Sequence, residues 1–83
     1  MFDKKNLLIT GGTGSFGNAF LEKFLDSNIN EIRIFSRDEK KQHDLRLKYN
    51  NKKIKFIIGN IRDENSVNEA TKDVDYIFHA AAL

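Results

Sequence analysis

The chain has 83 residues, 40% of them apolar and 31% charged, with 14 basic against 12 acidic side chains and a net charge of +2. That length allows at most one small domain, and that balance excludes a disordered tail. The lack of cysteine excludes disulfides and thiolate chemistry, and two histidines are too few for a protein metal site without carboxylate help. No apolar run approaches the roughly 18 residues of a membrane helix, and no signal-peptide core follows Met1, so a cytoplasmic protein with no membrane partner is expected. Lys52, Lys53 and Lys55 form a basic run with Lys40 and Lys41 upstream, but acidic residues are interleaved elsewhere. That pattern describes a solvated loop, and no nucleic-acid partner is expected.

In chain order, Leu7, Leu8 and Ile9 form a short apolar run that predicts a first strand. Phe16, Phe20 and Phe24 then recur at helical spacing, with Ala19, Leu21 and Leu25 widening the stripe, which predicts an amphipathic helix over 15–26. Ile32, Ile34 and Phe35 predict a second strand. Residues 38–49 read as a more polar helix, lying largely in solvent, with Leu45 and Tyr49 as its main buried contacts and Asp38 placed to cap its start. Ile54, Phe56, Ile57 and Ile58 predict a third strand. Val67, Ala70 and Val74, with acidic residues before them, predict a helix over 64–72, and Tyr76, Ile77 and Phe78 a fourth strand.

The order βαβαβαβ with continuous rather than alternating apolar strands implies a parallel sheet covered on both faces by right-handed crossovers. The expected fold class is α/β, the N-terminal half of a doubly wound Rossmann-type sheet, with strand order 3-2-1-4. No second domain, repeat or linker is visible in 1–83. The fourth strand would be a bare edge, as in a piece of a longer chain.

Between the first strand and first helix lies Thr10-Gly11-Gly12-Thr13-Gly14-Ser15-Phe16-Gly17. Glycines at this spacing allow a tight turn, let backbone approach a pyrophosphate, and let helix and strand pack closely, while free N–H groups at the helix start bind phosphate charge. The loop lacks the Lys-Ser/Thr ending of an ATP-binding P-loop. Its position after a strand and before a helix makes a dinucleotide the expected ligand. About 20 residues beyond the glycines, an NAD site offers an acid to the ribose hydroxyls and an NADP site a base to the 2′-phosphate. Here the second strand ends at Ser36 and continues Arg37, Asp38, Glu39, Lys40, Lys41. Arg37 can meet a phosphate with a planar fork, Ser36 can donate, and Lys40 or Lys41 can add charge, which favours NADP. Asp38 has two readings, a helix cap or a holder of a ribose hydroxyl.

The segments at 10–17, Phe-Ser-Arg-Asp-Glu-Lys-Lys-Gln at 35–42, Gly-Asn-Ile-Arg-Asp at 59–63 and His-Ala-Ala-Ala-Leu at 79–83 together carry a family resemblance. The chain resembles the inverting UDP-N-acetylglucosamine 4,6-dehydratases of the extended short-chain dehydrogenase superfamily, including the dehydratase/5-epimerases of bacterial capsule synthesis. The resemblance covers the whole chain. It implies that Thr13, Gly14, Ser15 and Phe16, within the cofactor-binding glycine spacing of Gly11, Gly14 and Gly17, hold the pyrophosphate, that Ser36, Arg37, Asp38, Lys40 and Lys41 surround the ribose phosphate, and that Ala80 lies against the cofactor. Asn60 and Ile61 would frame the adenine; the family usually has Asp at position 60, and an Asn carbonyl can still accept from the adenine amino group.

The resemblance further implies a UDP-sugar substrate, a homo-oligomeric parent enzyme, and NADP⁺ taking a hydride from sugar C4 before water leaves C6 and C5 inverts. The bases for that chemistry would lie beyond Leu83, leaving no catalytic or metal-binding residue in 1–83 and the chain alone inactive. Alternatives are a UDP-sugar 4-epimerase or reductase of the same superfamily, a non-catalytic NADP-sensing module, and a structural fragment. Tyr49 and Lys53 match the Tyr-x-x-x-Lys spacing of the superfamily's catalytic pair, but Asn50, Asn51 and Lys52 read as a helix end, which would separate them. His43 is expected to be solvated, and His79 packed or hydrogen-bonded rather than a general base.

Overall fold

The computed structural model describes residues 3–11 and 15–79, with backbone alone for 15 and 16. Its elements are β1 (Asn6–Thr10), α1 (Ser15–Phe24), β2 (Glu31–Ser36), α2 (Glu39–Tyr49), β3 (Ile54–Ile58), α3 (Glu64–Ala70) and β4 (Tyr76–His79). All strand pairs are parallel and the order is β3-β2-β1-β4, the Rossmann-type arrangement expected from the apolar runs.

The register sorts side chains by face. Leu7 and Ile9 of β1, Ile32 and Ile34 of β2 and Ile54 of β3 join Phe20, Leu21 and Leu45 in one core beneath α1 and α2. Leu8 and Phe35 project the other way and meet Ala70 of α3, with Ile57, Val67 and Val74 packed alongside. Because β1 is central and covered on both faces, its apolar residues run without alternation. Each fully buried Leu or Ile contributes about 1.5–3 kcal/mol by leaving water. Arg33 shares the α3 face, where its Nη1 donates to Ala70 O at 2.9 Å and its Nε to Glu31 Oε2 at 2.6 Å.

The buried face of α1 holds Gly17, Phe20 and Leu21, with Phe24 and Leu25 packed against the core, and the Phe20 ring lies 5.2 Å from that of Phe78 on β4. Ala19 does not widen this stripe. It is exposed, because successive helix positions turn by about 100° and residue 19 falls on the far side of a face centred between 20 and 21. Helix α1 ends at Phe24 rather than 26, since both the backbone N and the Oγ of Ser27 donate to Phe24 O and close the last turn. Helix α3 likewise stops at Ala70 rather than 72, where the Thr71 hydroxyl donates to Val67 O at 2.8 Å.

Helix α2 begins one residue after its expected start because Asp38 is its cap: Oδ1 accepts from Lys41 N at 3.0 Å. It ends where Asn50 turns left-handed, at φ 40°, and donates its N–H to Arg46 O. Leu45 is buried and Tyr49 half-buried as expected; Gln42, on the same polar helix, is unexpectedly buried. Strand β4 pairs only with β1 among the described residues, and Tyr76 and Ile77 on this bare edge are 45% and 46% exposed.

Candidate functional site

The chain leaves β1 through Gly11 at φ 66°, a left-handed conformation that a side chain would penalise by about 1–2 kcal/mol. Its N–H donates to Phe35 O at 2.9 Å, which carries the turn over the end of β2. The strand before the motif, the turn at Gly11 and the helix after it are therefore as expected. Residues 12–14, with Thr13 and Gly14 among them, and Ala80 lie outside the described residues, as do the side chains of Ser15 and Phe16, the first two residues of α1. Gly17 is buried on the inner face of α1, where close helix–sheet packing was expected of it.

At the end of β2, Ser36 Oγ accepts from Asp38 N at 3.2 Å and from Gln42 Nε2 at 3.0 Å. Arg37 follows, exposed and without an ion pair among the described residues. The two readings of Asp38 are thereby weighted: one carboxylate oxygen holds the first turn of α2. Lys40 and Lys41 are exposed in that turn, but Lys41 borders the depression between α1 and α2 with Asn18, Asp44 and Lys48.

At the end of β3, Gly59 N donates to Ser36 O at 3.0 Å, and a Cβ added to Gly59 would stand 2.8 Å from Cε2 of the buried Phe35 ring. Only a glycine lets the β3 exit pass this close to Phe35. Asn60 folds back on its own loop: Oδ1 accepts from Arg62 N at 2.9 Å and its carbonyl from Asp63 N at 2.9 Å. The side-chain oxygen expected to face an amino group is thus already engaged in holding the turn. Ile61 is 53% exposed and offers an apolar wall.

These strand ends enclose a cleft of about 270 Å³ whose lining includes Gly11, Ser36, Arg37, Gly59, Ile61 and His79. It opens at the carboxyl ends of the strands, beside the point where the order reverses between β1 and β4. One wall is apolar and the other carries a hydroxyl and a guanidinium, a combination suited to a flat ring with an adjoining anion. His79 Nδ1 lies 2.8 Å from Thr10 Oγ1, so this histidine is hydrogen-bonded as expected.

Tyr49 and Lys53 do not form a pair. The left-handed Asn50 separates them; Tyr49 Oη donates to Asn18 O at 3.3 Å and Lys53 Nζ to Ser27 O at 3.1 Å. Among the described residues no cluster of His, Asp or Glu could hold a metal, and no helix is long and apolar enough to cross a membrane. The sequence reading gave no site role to Gly59, which lines the cleft, or to Gln42, which lies outside it and reaches Ser36. The first had a signal, a glycine directly after an apolar strand; the second had none, because a glutamine in a polar helix looks solvated.

Residues 7–83 match the family described as polysaccharide biosynthesis protein, a stretch that runs from the second residue of β1 through β4 and takes in the described lining of the cleft. The chain belongs to this polysaccharide biosynthesis protein family. Within that setting it is 66% identical, over 87 aligned residues covering 100% of this chain, to a UDP-glucose 4-epimerase of Rickettsia bellii (strain OSU 85-389). The X-ray structure of Pen from Bacillus thuringiensis superposes with a TM-score of 0.92 at 38% identity over 100% of this chain. In both cases the chain spans about a quarter of the relative, 26% of its length. The Bordetella bronchiseptica enzyme WbmF, whose crystal structure is a complex with NADH, shares the fold at a TM-score of 0.76 and 17% identity, over 99% of this chain and 24% of that one.

Proposed function

We propose that residues 1–83 of this family member form the NADP-binding first part of a Rossmann domain in a nucleotide-sugar 4,6-dehydratase/5-epimerase. Its substrate is UDP-N-acetylglucosamine, and its product serves bacterial surface polysaccharide synthesis. The observation that carries the cofactor assignment is the placement of Ser36 and Arg37 side by side in the cleft while Asp38 caps α2. A site selective for NAD presents a carboxylate to the ribose hydroxyls; here Asp38 spends Oδ1 on the helix, and the cleft is lined by Ser36 and Arg37 with no carboxylate among its described lining residues.

The residues fit the cofactor in other respects. Gly11 keeps the exit from β1 free of a side chain, Gly59 keeps the cleft floor open beside Phe35, and Ile61 supplies an apolar wall for adenine. Thr13, Gly14, Ser15 and Phe16 would hold the pyrophosphate at the start of α1, Lys40 and Lys41 would add charge at the rim, and Ala80 would lie against the nicotinamide side. When bound, NADP⁺ accepts and returns a hydride of the sugar. The groups that move protons on the sugar, and the subunit contacts of a homo-oligomer, belong on this reading to sequence outside 1–83, in a cytoplasmic enzyme.

A second reading, a UDP-glucose 4-epimerase, is favoured by the name of the 66%-identical relative. Both begin with oxidation at C4 of a UDP-sugar and differ in the later steps. Incubating the full gene product with UDP-N-acetylglucosamine and with UDP-glucose, and following the products by mass and by chromatographic separation of the isomers, separates them. A product one water lighter supports the dehydratase; an isomer of unchanged mass from UDP-glucose supports the epimerase; cofactor binding with no turnover of either sugar leaves the NADP-sensing module. For the cofactor itself, titration of the chain should show NADP⁺ binding at least about tenfold more tightly than NAD⁺, the effect of one charge-assisted contact. Equal affinities would overturn the assignment.

A further inference from the structure

Gln42 is 1% exposed, and with Thr10 it makes up the buried polar residues of the described chain. Its Nε2 donates to Ile57 O at 3.0 Å and to Ser36 Oγ at 3.0 Å, with Ser36 O at 3.4 Å. The amide can point only this way, because the reverse orientation would set its oxygen against two carbonyls that only accept. Its Oε1, on the other side, is buried without a hydrogen-bond partner among the described residues. A residue kept merely to fill space would not carry an orphaned acceptor into the interior, so the donor side is what the position uses.

A hydroxyl oxygen has two lone pairs and one proton. At Ser36 both lone pairs are engaged, one by Gln42 Nε2 and one by Asp38 N, and neither donor can reverse its role. The proton is therefore the only thing Ser36 can offer to an occupant of the cleft it lines beside Arg37. An obligate donor next to a cation gains most from an anion, since a hydrogen bond to a charged oxygen is about twice as strong as one to a neutral hydroxyl.

From this geometry we infer that Gln42 is a positioning residue that locks the Ser36 hydroxyl as a donor and thereby raises the preference of the cleft for the 2′-phosphate of NADP over the bare ribose of NAD. The inference rests on the NADP reading above. It also gives a buried glutamine of α2, which does not itself line the cleft, a role in cofactor choice.

The test measures dissociation constants of NADP⁺ and NAD⁺ by calorimetric titration for the full gene product, for its Gln42→Met and Ser36→Ala variants and for the double variant. Gln42→Met keeps the side-chain volume and removes the donor. It should lower the NADP⁺:NAD⁺ preference about tenfold with little change in NAD⁺ affinity. Ser36→Ala should lower it by a similar factor, and the double variant should be no worse than either single one. Equal weakening of both cofactors by Gln42→Met, or a further full loss when it is added to Ser36→Ala, would overturn the inference. If Gln42→Met does not fold, Ser36→Ala decides, because it keeps the bond from Lys41 N to Asp38 Oδ1 that caps the helix; an unchanged preference there also overturns it. The two levels separate cleanly. An unaltered chain without NADP⁺ preference removes the NADP reading and the inference together, whereas a preference that Arg37→Ala abolishes and the Ser36 and Gln42 variants leave intact removes the inference alone.

Discussion

At the N-terminal ends of the strands, Asn6 ties three segments together. Its backbone N donates to Asp75 Oδ2 at 2.8 Å, its Nδ2 to Asp73 O at 2.9 Å, and its Oδ1 accepts from Asn30 Nδ2 at 2.6 Å. Lys4 N, Asn30 N and Asp75 N close neighbouring turns onto Asn28, Lys5 and Asn6 carbonyls. At the C-terminal ends, the chain uses glycine at 11 and 59 to keep side chains out, leaves Arg37 without an ion pair among the described residues, and leaves Ser36 with a proton to give. Polar groups that answer one another stabilise the fold; polar groups left facing a cleft await a ligand. Substitutions at the two ends should therefore move different observables, stability at one and affinity at the other.

The largest effect is expected at Arg37. Arg37→Ala removes an exposed fork, so NADP⁺ affinity should fall roughly tenfold to a hundredfold, about 1.5–3 kcal/mol, while the thermal midpoint stays put. Titration and a melting curve on the same sample check both halves. A lower midpoint with unchanged affinity would move Arg37 to the structural side of the comparison.

Gly59 stands where the two kinds of effect meet. In Gly59→Ala the new methyl group would press on the Phe35 ring, which is packed against Leu8 and Ala70 and has little room to give. Overpacking of this sort costs about 1–3 kcal/mol, and because Phe35 and Gly59 both line the cleft, affinity for NADP⁺ should drop along with stability in urea unfolding. Asn6→Ala, at the closed end, should lose about 1 kcal/mol of stability from its two side-chain hydrogen bonds and leave NADP⁺ titrations unchanged. A change in affinity there would mean that the two ends are coupled through β1.

The strands were legible because each is a short apolar run, and the cover on both faces of β1 because Leu7, Leu8 and Ile9 run without alternation; β2 breaks its run at Arg33, which donates to Ala70 O on the α3 face. The Asp38 cap was legible from its place before a polar helix. Helix ends were overrun at α1 and α3, because Ser27 and Thr71 close the final carbonyls through local bonds that hydrophobic spacing does not register. In the site, Ser36 and Arg37 were readable from their place at the end of the second strand and Ile61 only from the family resemblance, and the structure gathers the three into one cleft. Lys41, equally basic and close in sequence, borders the α1 side instead, because it stands one turn before Leu45 on the face of α2 that meets α1. Gln42 was not readable: its burial depends on the carbonyls of Ser36 and Ile57 meeting above α2, a fact of tertiary structure.

The smallest expected effect concerns Tyr49, whose spacing to Lys53 imitates a catalytic pair. Its hydroxyl makes two long hydrogen bonds, to Asn18 O at 3.3 Å and Asn18 Oδ1 at 3.4 Å, and joins the last turn of α2 to the first turns of α1. Bonds of that length on a half-buried phenol contribute little, so Tyr49→Phe should cost about 0.5 kcal/mol, near the resolution of a urea midpoint. Cofactor affinity should not change, and neither should turnover of a UDP-sugar by the full gene product. A loss of turnover with stability and binding intact would be the one result that returns Tyr49 to the chemistry. It would require the chain between Tyr49 and Lys53 to rewind as continuous helix, against the left-handed turn at Asn50 and the bond from Lys53 Nζ to Ser27 O.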